Sequence, residues 1–220
     1  SEEIMQERLA LVLCGSLQKS RWQKVETPAD FYTVKGLVET MLTTLGYSEG
    51  RVVFKENTMD TRHFHPYQSA EVYIGKTLFG IFGRIHPNMA KRYDMKDAVI
   101  GEFNMEVLLD SHPEKVKFTP ISKYPSVSRD LAFVVDQTLP VANIIKSIRK
   151  CGKLGKENII QEVEVFDVYE GEHVEAGKKS IALTITFQSA DKTLTDQDIN
   201  TIHEKVLDAL RKDVNAELRA

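Results

Sequence analysis

The chain has 220 residues, of which 42% are hydrophobic and 28% charged, and its formal net charge is −3 at pH 7. This composition is typical of a globular protein with one large domain or two of ordinary size. No apolar run approaches the roughly 20 residues that a bilayer-spanning helix requires, which excludes a membrane protein. The net charge gives no global attraction for nucleic acid, so any RNA contact must come from a local cluster of Lys and Arg.

The N-terminal residues and the two cysteines indicate in which cellular compartment the protein works. Residues 1–30 lack a basic segment followed by an apolar core, so they do not resemble a signal peptide. Cys14 and Cys151 have neither a zinc-binding nor a disulfide spacing, which predicts a reduced cytoplasmic protein. Because the first residue is Ser1 rather than Met, we expect an excised piece of a longer chain.

The first half of the chain predicts one long helix and several antiparallel strands. The apolar run at residues 8–16 predicts a buried strand that ends at Gly and Ser. Residues 31–45 carry apolar side chains at intervals of three and four, after Asp30 and before Gly46, which predicts a helix. The other predicted elements are strands at 52–54, 70–74, 78–85 and within 98–109, the middle two as a hairpin, and a short helix at 87–94.

A stretch that contains prolines separates the two halves. Residues 110–128 carry Pro113, Pro120 and Pro125 and show little apolar periodicity, which is typical of a connection between domains. The predicted division is a first domain at residues 1–118, a linker at 119–127 and a second domain at 128–220.

The second half predicts the element order β-α-β-β-α-β. Residues 180–188 alternate strictly between apolar and polar side chains, which indicates a strand with one buried face. A helix that begins after Thr195 is favoured by Asp196 and Asp198 in its first turn. The other predicted elements are strands at 131–136, 159–169 and 215–219 and a helix at 141–151. This order is that of a ferredoxin-like fold, an α+β architecture in which two helices cover one face of a four-stranded antiparallel sheet.

The face of this sheet that the helices leave open is a candidate binding surface. Such a face often binds single-stranded RNA or another chain. The polar residues predicted on it are Ser180, Thr184, Thr186 and Gln188.

The residues by themselves do not predict a complete active site. His63 and His65 would point to opposite sides of an extended segment, so a structural loop is favoured over a metal site. Gly80 and Gly83 are not followed by a Lys-Ser/Thr pair, which favours close packing or a bulge over nucleotide binding. The carboxylate pairs Glu162/Glu164 and Asp196/Asp198 are expected to be solvated or to cap a helix.

Basic residues cluster near the end of the first helix in the second domain. From residue 121 to residue 220 there are 14 Lys and Arg against 16 Asp and Glu, so the domain as a whole is close to neutral. A solvated helix face is favoured over an RNA contact for the cluster, although both interpretations stay open. The cluster consists of Lys146, Arg149, Lys150, Lys153 and Lys156.

The second half resembles a known family through several motifs in order. Residues 124–136 (YPSVSRDLAFVVD), 165–171 (VFDVYEG), 178–182 (KKSIA) and 192–196 (KTLTD), with the terminal 216–219 (AELR), are similar to a ferredoxin-fold anticodon-binding domain. That domain ends the β subunit of bacterial phenylalanyl-tRNA synthetases.

The first half extends the resemblance to the synthetase-like module of the same family. The motifs are residues 30–36 (DFYTVKG), 65–70 (HPYQSA) and 80–87 (GIFGRIHP). In this family the module has the antiparallel sheet of class II synthetases but does not catalyse. Arg62 and Arg84 are not in the settings that a class II ATP site requires, and the module is expected to be truncated at its N-terminus.

The resemblance implies an indirect role in charging tRNA-Phe with phenylalanine. ATP and Mg²⁺ would be bound by the α subunit of an α2β2 heterotetramer, and this chain would bind no cofactor or metal. It would support the α subunit and bind the anticodon region of tRNA-Phe through stacking and hydrogen bonds to bases. Arg129 and Asp130 have an alternative interpretation as an internal ion pair. The expected tRNA-binding residues are Ser128, Arg129, Asp130, Ser180, Thr184, Thr186, Gln188, Ser189 and Arg219.

Two other classes of function are possible for this sequence. The first is a free-standing enzyme in which the first domain retains ATP-dependent activation, which the missing class II motifs argue against. The second is a stand-alone RNA-binding or amino-acid-sensing regulatory protein without ligase activity.

Overall fold

The computed structural model describes residues 6–48, 50–95, 97–115, 118 and 120–218. The chain divides into two compact units, Ser1–Phe118 and Thr119–Ala220, and each unit has its own hydrophobic core. In the described part of the chain, no helix is long and apolar enough to cross a bilayer.

The first unit is built on an antiparallel sheet. Its described residues form, in chain order, β1 (Arg8–Leu13), β2 (Ser16–Ser20), β3 (Val25–Pro28), α1 (Phe31–Thr44), β4 (Val52–Glu56), β5 (Phe64–Ile74), β6 (Thr77–Ile85), α2 (Pro87–Arg92), β7 (Val99–Asn104) and α3 (Glu106–Asp110). The main sheet has the order β1-β7-β6-β5-β4, and β2 pairs with β3 in a separate hairpin. The predicted hairpin of the fifth and sixth strands is confirmed.

Helix α1 forms where the sequence predicts it. The Asp30 carboxylate accepts a hydrogen bond from the Thr33 amide at 2.8 Å and caps the N-terminus. Gly46 adopts a φ of +88°, the left-handed conformation that commonly ends a helix. The apolar stripe packs into the core of the first unit through Val34, Val38 and Leu42.

The strand predicted at residues 8–16 forms at Arg8–Leu13, but the expectation that it is buried is wrong. Among the described strands β1 pairs with β7 alone, so it lies at the edge of the described sheet. Leu9 is 37% exposed and Val12 60% exposed. A short apolar run predicts a strand but does not tell a central strand from an edge strand. The β2–β3 hairpin and α3 were not predicted.

The second unit has the predicted ferredoxin-like order with one inserted hairpin. Its described residues form β8 (Val127–Asp136), α4 (Val141–Cys151), β9 (Lys153–Leu154), β10 (Glu157–Asn158), β11 (Ile160–Tyr169), β12 (Lys178–Phe187), α5 (Asp196–Val214) and β13 (Glu217–Leu218). The four-stranded sheet is antiparallel in the order β11-β12-β8-β13. The inserted pair β9–β10 was not predicted.

Strict alternation along β12 places its apolar residues in the core of the second unit. Ile181, Leu183, Ile185 and Phe187 are each 0% exposed and pack with the helices α4 and α5 in one cluster. The opposite set of β12 side chains therefore faces away from the helices. Thr195 begins α5 with a capping box that also involves Asp198, as the sequence predicts.

Candidate nucleic-acid interface

Four of the predicted contact residues lie side by side on the open face of the second sheet. Ser128 and Asp130 on β8 are opposite Thr186 and Thr184 on β12. The hydroxyl oxygens of Ser128 and Thr186 are 3.2 Å apart, and the Thr184 hydroxyl donates to the Asp130 carboxylate at 2.7 Å. This arrangement gives a continuous patch of hydroxyl and carboxylate groups that is at least partly exposed and can hydrogen-bond the edges of bases.

Arg129 lies on the other side of the sheet. It is opposite Ile185, a core residue, and its guanidinium is 3.7 Å from the Asp196 carboxylate at the N-terminus of α5. The alternative of an ion pair with Asp130 is therefore wrong, because Asp130 bonds to Thr184 instead. The Arg129 side chain is 46% exposed, so it is accessible at this end of the sheet.

Two predicted contact residues are buried, contrary to the expectation of an exposed polar set. Ser180 is 7% exposed at its place between Val134 and Tyr169 in the sheet. Ser189 is 2% exposed, and its hydroxyl donates to the Glu157 carboxylate at 2.7 Å. Because their polar groups are enclosed by protein, these two serines offer little surface to a ligand.

The last two predicted residues are the amide Gln188 and the terminal Arg219. The Gln188 side chain is half-buried, and its Nε2 donates to the main-chain carbonyl of Tyr124 at 2.8 Å. This bond joins the segment before β8 to the exit of β12. Arg219 lies outside the described residues.

Acidic residues on β11 extend the open face and were not predicted to belong to it. Glu162 is opposite Thr186, and Glu164 is opposite Thr184, which in turn bonds to Asp130. Both glutamates are exposed. Their spacing of two residues predicts that both lie on one face of a strand, and the structure shows that this face is the open one. The open face is therefore acidic and unsuited to phosphate groups.

The histidine segment of the first unit is fixed by local hydrogen bonds. His63 Nδ1 is 2.9 Å from an Asp60 carboxylate oxygen, and His65 Nδ1 accepts from the Tyr67 amide at 3.2 Å. His86 caps α2 by accepting from the Asn88 amide at 3.1 Å. Among the described residues, no group of three or more His, Cys, Asp or Glu side chains is placed to hold a metal ion.

A surface cavity of about 420 Å³ in the first unit has a lining that includes, among the described residues, the carboxylates of Glu26, Asp30 and Asp97 and the guanidinium of Arg84. The Arg84 guanidinium donates to the Asp97 carboxylate and, at 3.4 Å, to the Gln68 side chain. The Arg84 guanidinium is thus already paired with a carboxylate on the wall of the cavity.

Comparison with known proteins identifies both units. Residues 122–219 match the family described as the ferredoxin-fold anticodon binding domain, and residues 3–105 match the phenylalanyl tRNA synthetase beta chain CLM domain. A phenylalanine–tRNA ligase β subunit of Bacillus licheniformis is 36% identical over 219 residues. The chain belongs to the phenylalanyl-tRNA synthetase β-chain family. The ferredoxin-like fold expected from the sequence is thereby confirmed.

Other relatives carry the same name. The β subunit of Bacillus subtilis is 37% identical and that of Lactiplantibacillus plantarum 36% identical, each over 213 residues and 97% of this chain. The Bacillus licheniformis protein matches 100% of the chain. The chain spans about a quarter of the length of these relatives, since the match covers 26% of each.

Proposed function

We propose that the chain works as part of a phenylalanyl-tRNA synthetase β subunit and that its second unit binds the anticodon region of tRNA-Phe. The observation that carries this proposal is the match of residues 122–219 to an anticodon-binding domain. In the structure the same residues form a sheet with one face free of helices. Ser128, Asp130, Thr184 and Thr186 on that face supply donors and acceptors for base edges.

In the proposed assembly, the first unit supports the catalytic α subunit. It contacts the catalytic α subunit, and the α subunit of an α2β2 assembly binds ATP and Mg²⁺ and activates phenylalanine. The chain itself is non-catalytic and works in the cytoplasm. The pairing of Arg84 with Asp97 on the wall of this cavity supports this division of labour, because the guanidinium is already bound to a carboxylate rather than open to the phosphates of ATP.

Arg129 lies on the helix side of the sheet, but its guanidinium is exposed at the end where Ser128 and Thr186 lie, so its substitution in the assembled ligase tests whether the tRNA contact extends around this end. Loss of one charged hydrogen-bonding group costs about 1.5–3 kcal/mol, so Arg129→Ala should raise the KM for tRNA by roughly tenfold or more. Phenylalanine-dependent ATP–pyrophosphate exchange should not change, because that reaction takes place on the α subunit. Arg219→Ala should act in the same way.

Arg211→Ala is the matched control for this experiment. Arg211 is an exposed arginine whose guanidinium is also 3.7 Å from a carboxylate, that of Asp208, but it lies near the other end of α5. Its substitution should leave the KM for tRNA unchanged. Equal effects of Arg129→Ala and Arg211→Ala would remove Arg129 from the interface.

The other functional classes predict different outcomes with this chain alone. Phenylalanine-dependent ATP–pyrophosphate exchange by the isolated chain would support a free-standing enzyme. Tight phenylalanine binding in calorimetry, without RNA, would support an amino-acid-sensing protein. We expect neither activity, and we expect co-purification with an α subunit once the rest of the β subunit is present.

A further inference from the structure

Charge is sharply segregated along one continuous segment of the second unit. Residues 146–156 contain five Lys and Arg and no Asp or Glu, whereas residues 157–177 contain seven Asp and Glu and no Lys or Arg. The net charge of the domain is close to zero, although its basic and acidic residues are concentrated in separate segments. The basic group, called here the basic ridge, consists of Lys146, Arg149, Lys150, Lys153 and Lys156.

The basic ridge runs from the solvent face of α4 onto the β9–β10 hairpin. All five side chains belong to exposed residues. Lys146 and Lys150 are four residues apart on the helix, so their Cβ atoms are about 5–6 Å from each other. Among the described residues, Lys146, Lys150, Lys153 and Lys156 form no ion pair at 4.0 Å or less. Their charges are therefore available to an external anion.

Hydrogen bonds hold the hairpin against the end of α4. The Asn158 side chain donates to the Arg149 carbonyl at 3.1 Å, and the Ile159 amide donates to the Gly152 carbonyl at 2.9 Å. A Cβ atom at Gly152 would lie less than 3.0 Å from the Asn158 Oδ1, so a larger residue here would displace the Asn158 side chain from its hydrogen bonds. The lysines on the hairpin thus have a fixed position relative to those on the helix.

The basic ridge adjoins the end of the sheet that carries the candidate interface. Glu157, at the start of β10, accepts from the Ser189 hydroxyl at 2.7 Å and from the Ala190 amide at 2.6 Å. This carboxylate joins the hairpin to the exit of β12, next to Gln188 and Thr186. An open cavity of about 620 Å³ lies between the hairpin and this exit, with Lys156 on its wall.

The charge of the open face determines where an RNA backbone can lie. Asp130, Glu162 and Glu164 form an acidic row across the face, which repels phosphates but leaves acceptors for base amino groups. Lysines are suited to phosphate as point charges, and phosphate contacts orient an RNA without reading its sequence.

We propose that the basic ridge is the phosphate-contact surface of the second unit, which binds the sugar–phosphate backbone of RNA whose bases reach the open face. This proposal rests on the proposed anticodon-binding function and adds the position of the backbone. In this arrangement the RNA crosses the end of the sheet at β9–β10 and does not lie flat along the acidic strand β11.

The salt dependence of binding tests the basic ridge. The 220-residue chain is titrated with a tRNA-Phe anticodon stem-loop at several salt concentrations. The double variant Lys150→Gln/Lys153→Gln should weaken binding and reduce the slope of log K against log salt by about 1.4–1.8, since each phosphate contact contributes about 0.7–0.9. The charge-preserving variant Lys150→Arg/Lys153→Arg should retain the slope of the original chain.

The control variant carries the same change of charge at the other end of the sheet. Lys178 and Lys179 lie where β12 begins, and Lys178→Gln/Lys179→Gln should leave the slope unchanged. If both glutamine pairs changed the slope equally, or if neither changed it, the basic ridge would not be the phosphate-contact surface. Binding of RNA by the second unit would be unaffected by that result. If the unaltered chain shows no salt-dependent binding to the stem-loop, the anticodon-binding function fails and the basic ridge fails with it.

Discussion

Glu71 shows how a carboxylate can be buried on the face of β5 opposite the hydrophobic core of the first unit. The residue is 3% exposed, on β5, which lies between β4 and β6 in the sheet. Its carboxylate accepts from the Thr58 amide at 2.8 Å, from the Met59 amide at 3.2 Å and from the Tyr73 hydroxyl at 2.7 Å. Burial acts to raise the pKa of Glu71, but these hydrogen bonds outweigh burial and lower the pKa below its ordinary value.

Substitution of Glu71 should make the stability of the first unit less sensitive to acid. Glu71→Gln should lower the free energy of unfolding at pH 7 by about 1–3 kcal/mol, because charged hydrogen bonds are lost in a buried place. The contribution of a carboxyl with a lowered folded-state pKa is complete above its ordinary pKa of 4.5. It is lost as the pH falls through the lowered value.

Urea unfolding of both proteins between pH 3 and pH 7 measures this difference. The gap between the original chain and Glu71→Gln should narrow below about pH 4.5. Glu56→Gln, on the exposed surface of the neighbouring β4, should change stability little at any pH. A gap that stays constant down to pH 3 would contradict the role assigned to the Glu71 charge.

The candidate site could be predicted only in part at the scale of single residues. Strict alternation along β12 correctly placed Thr184 and Thr186 on the face opposite the core, because side chains alternate in any strand. The burial of Ser189 could not be predicted, because it depends on Glu157, which is carried by an unpredicted hairpin. The partner of Arg129 likewise depends on where α5 begins in space.

At the scale of elements, two glycines of β6 allow close packing within the first sheet. A Cβ atom at Gly80 would lie less than 3.0 Å from Phe103 on β7, and one at Gly83 less than 3.0 Å from Ser69 on β5. Gly83 is also opposite a register shift in β5. The packing or bulge predicted for this glycine pair from its spacing is confirmed.

Alanine substitutions at two glycines should have opposite effects on the first unit. Gly83→Ala forces a Cβ against backbone atoms and should destabilise the unit by about 1–3 kcal/mol or more. Gly36→Ala should stabilise it by about 0.5–1 kcal/mol, since Gly36 is inside α1 with nothing within 4 Å of an added Cβ. Urea midpoints measure both changes, and a shift in the same direction for both variants would contradict this account of β6.

Helices and strands with a regular apolar periodicity could be predicted from the sequence, whereas the short hairpin strands could not. The helix α1 and the strand β12 follow from apolar spacing together with local capping or alternation. The pairs β2–β3 and β9–β10 have exposed or mixed residues without a periodic apolar pattern. Such hairpins are fixed by contacts with the rest of the fold, like the bond from Asn158 to the end of α4.

At the scale of the whole molecule, each unit has a separate hydrophobic core. The buried core of the first unit is formed by residues of α1, Tyr47, the strands β5, β6 and β7, and α3, with residues of β1 and β4 packed against it. The core of the second unit joins α4 and α5 to the four-stranded sheet, and its members lie between Leu131 and Ala216. A core made within one stretch of chain is the property that allows a domain to fold by itself.

The second unit should therefore fold when it is produced alone as residues 119–220. Its urea unfolding, followed by far-ultraviolet circular dichroism, should be a single cooperative transition. Leu183→Ala, which removes a side chain that is 0% exposed, should lower the stability of this piece by about 2–5 kcal/mol. In the complete chain the same substitution should leave amide hydrogen exchange in α1 unchanged, because α1 belongs to the other core. A gradual unfolding curve for residues 119–220, or faster exchange in α1 after Leu183→Ala, would show that the two cores are not independent.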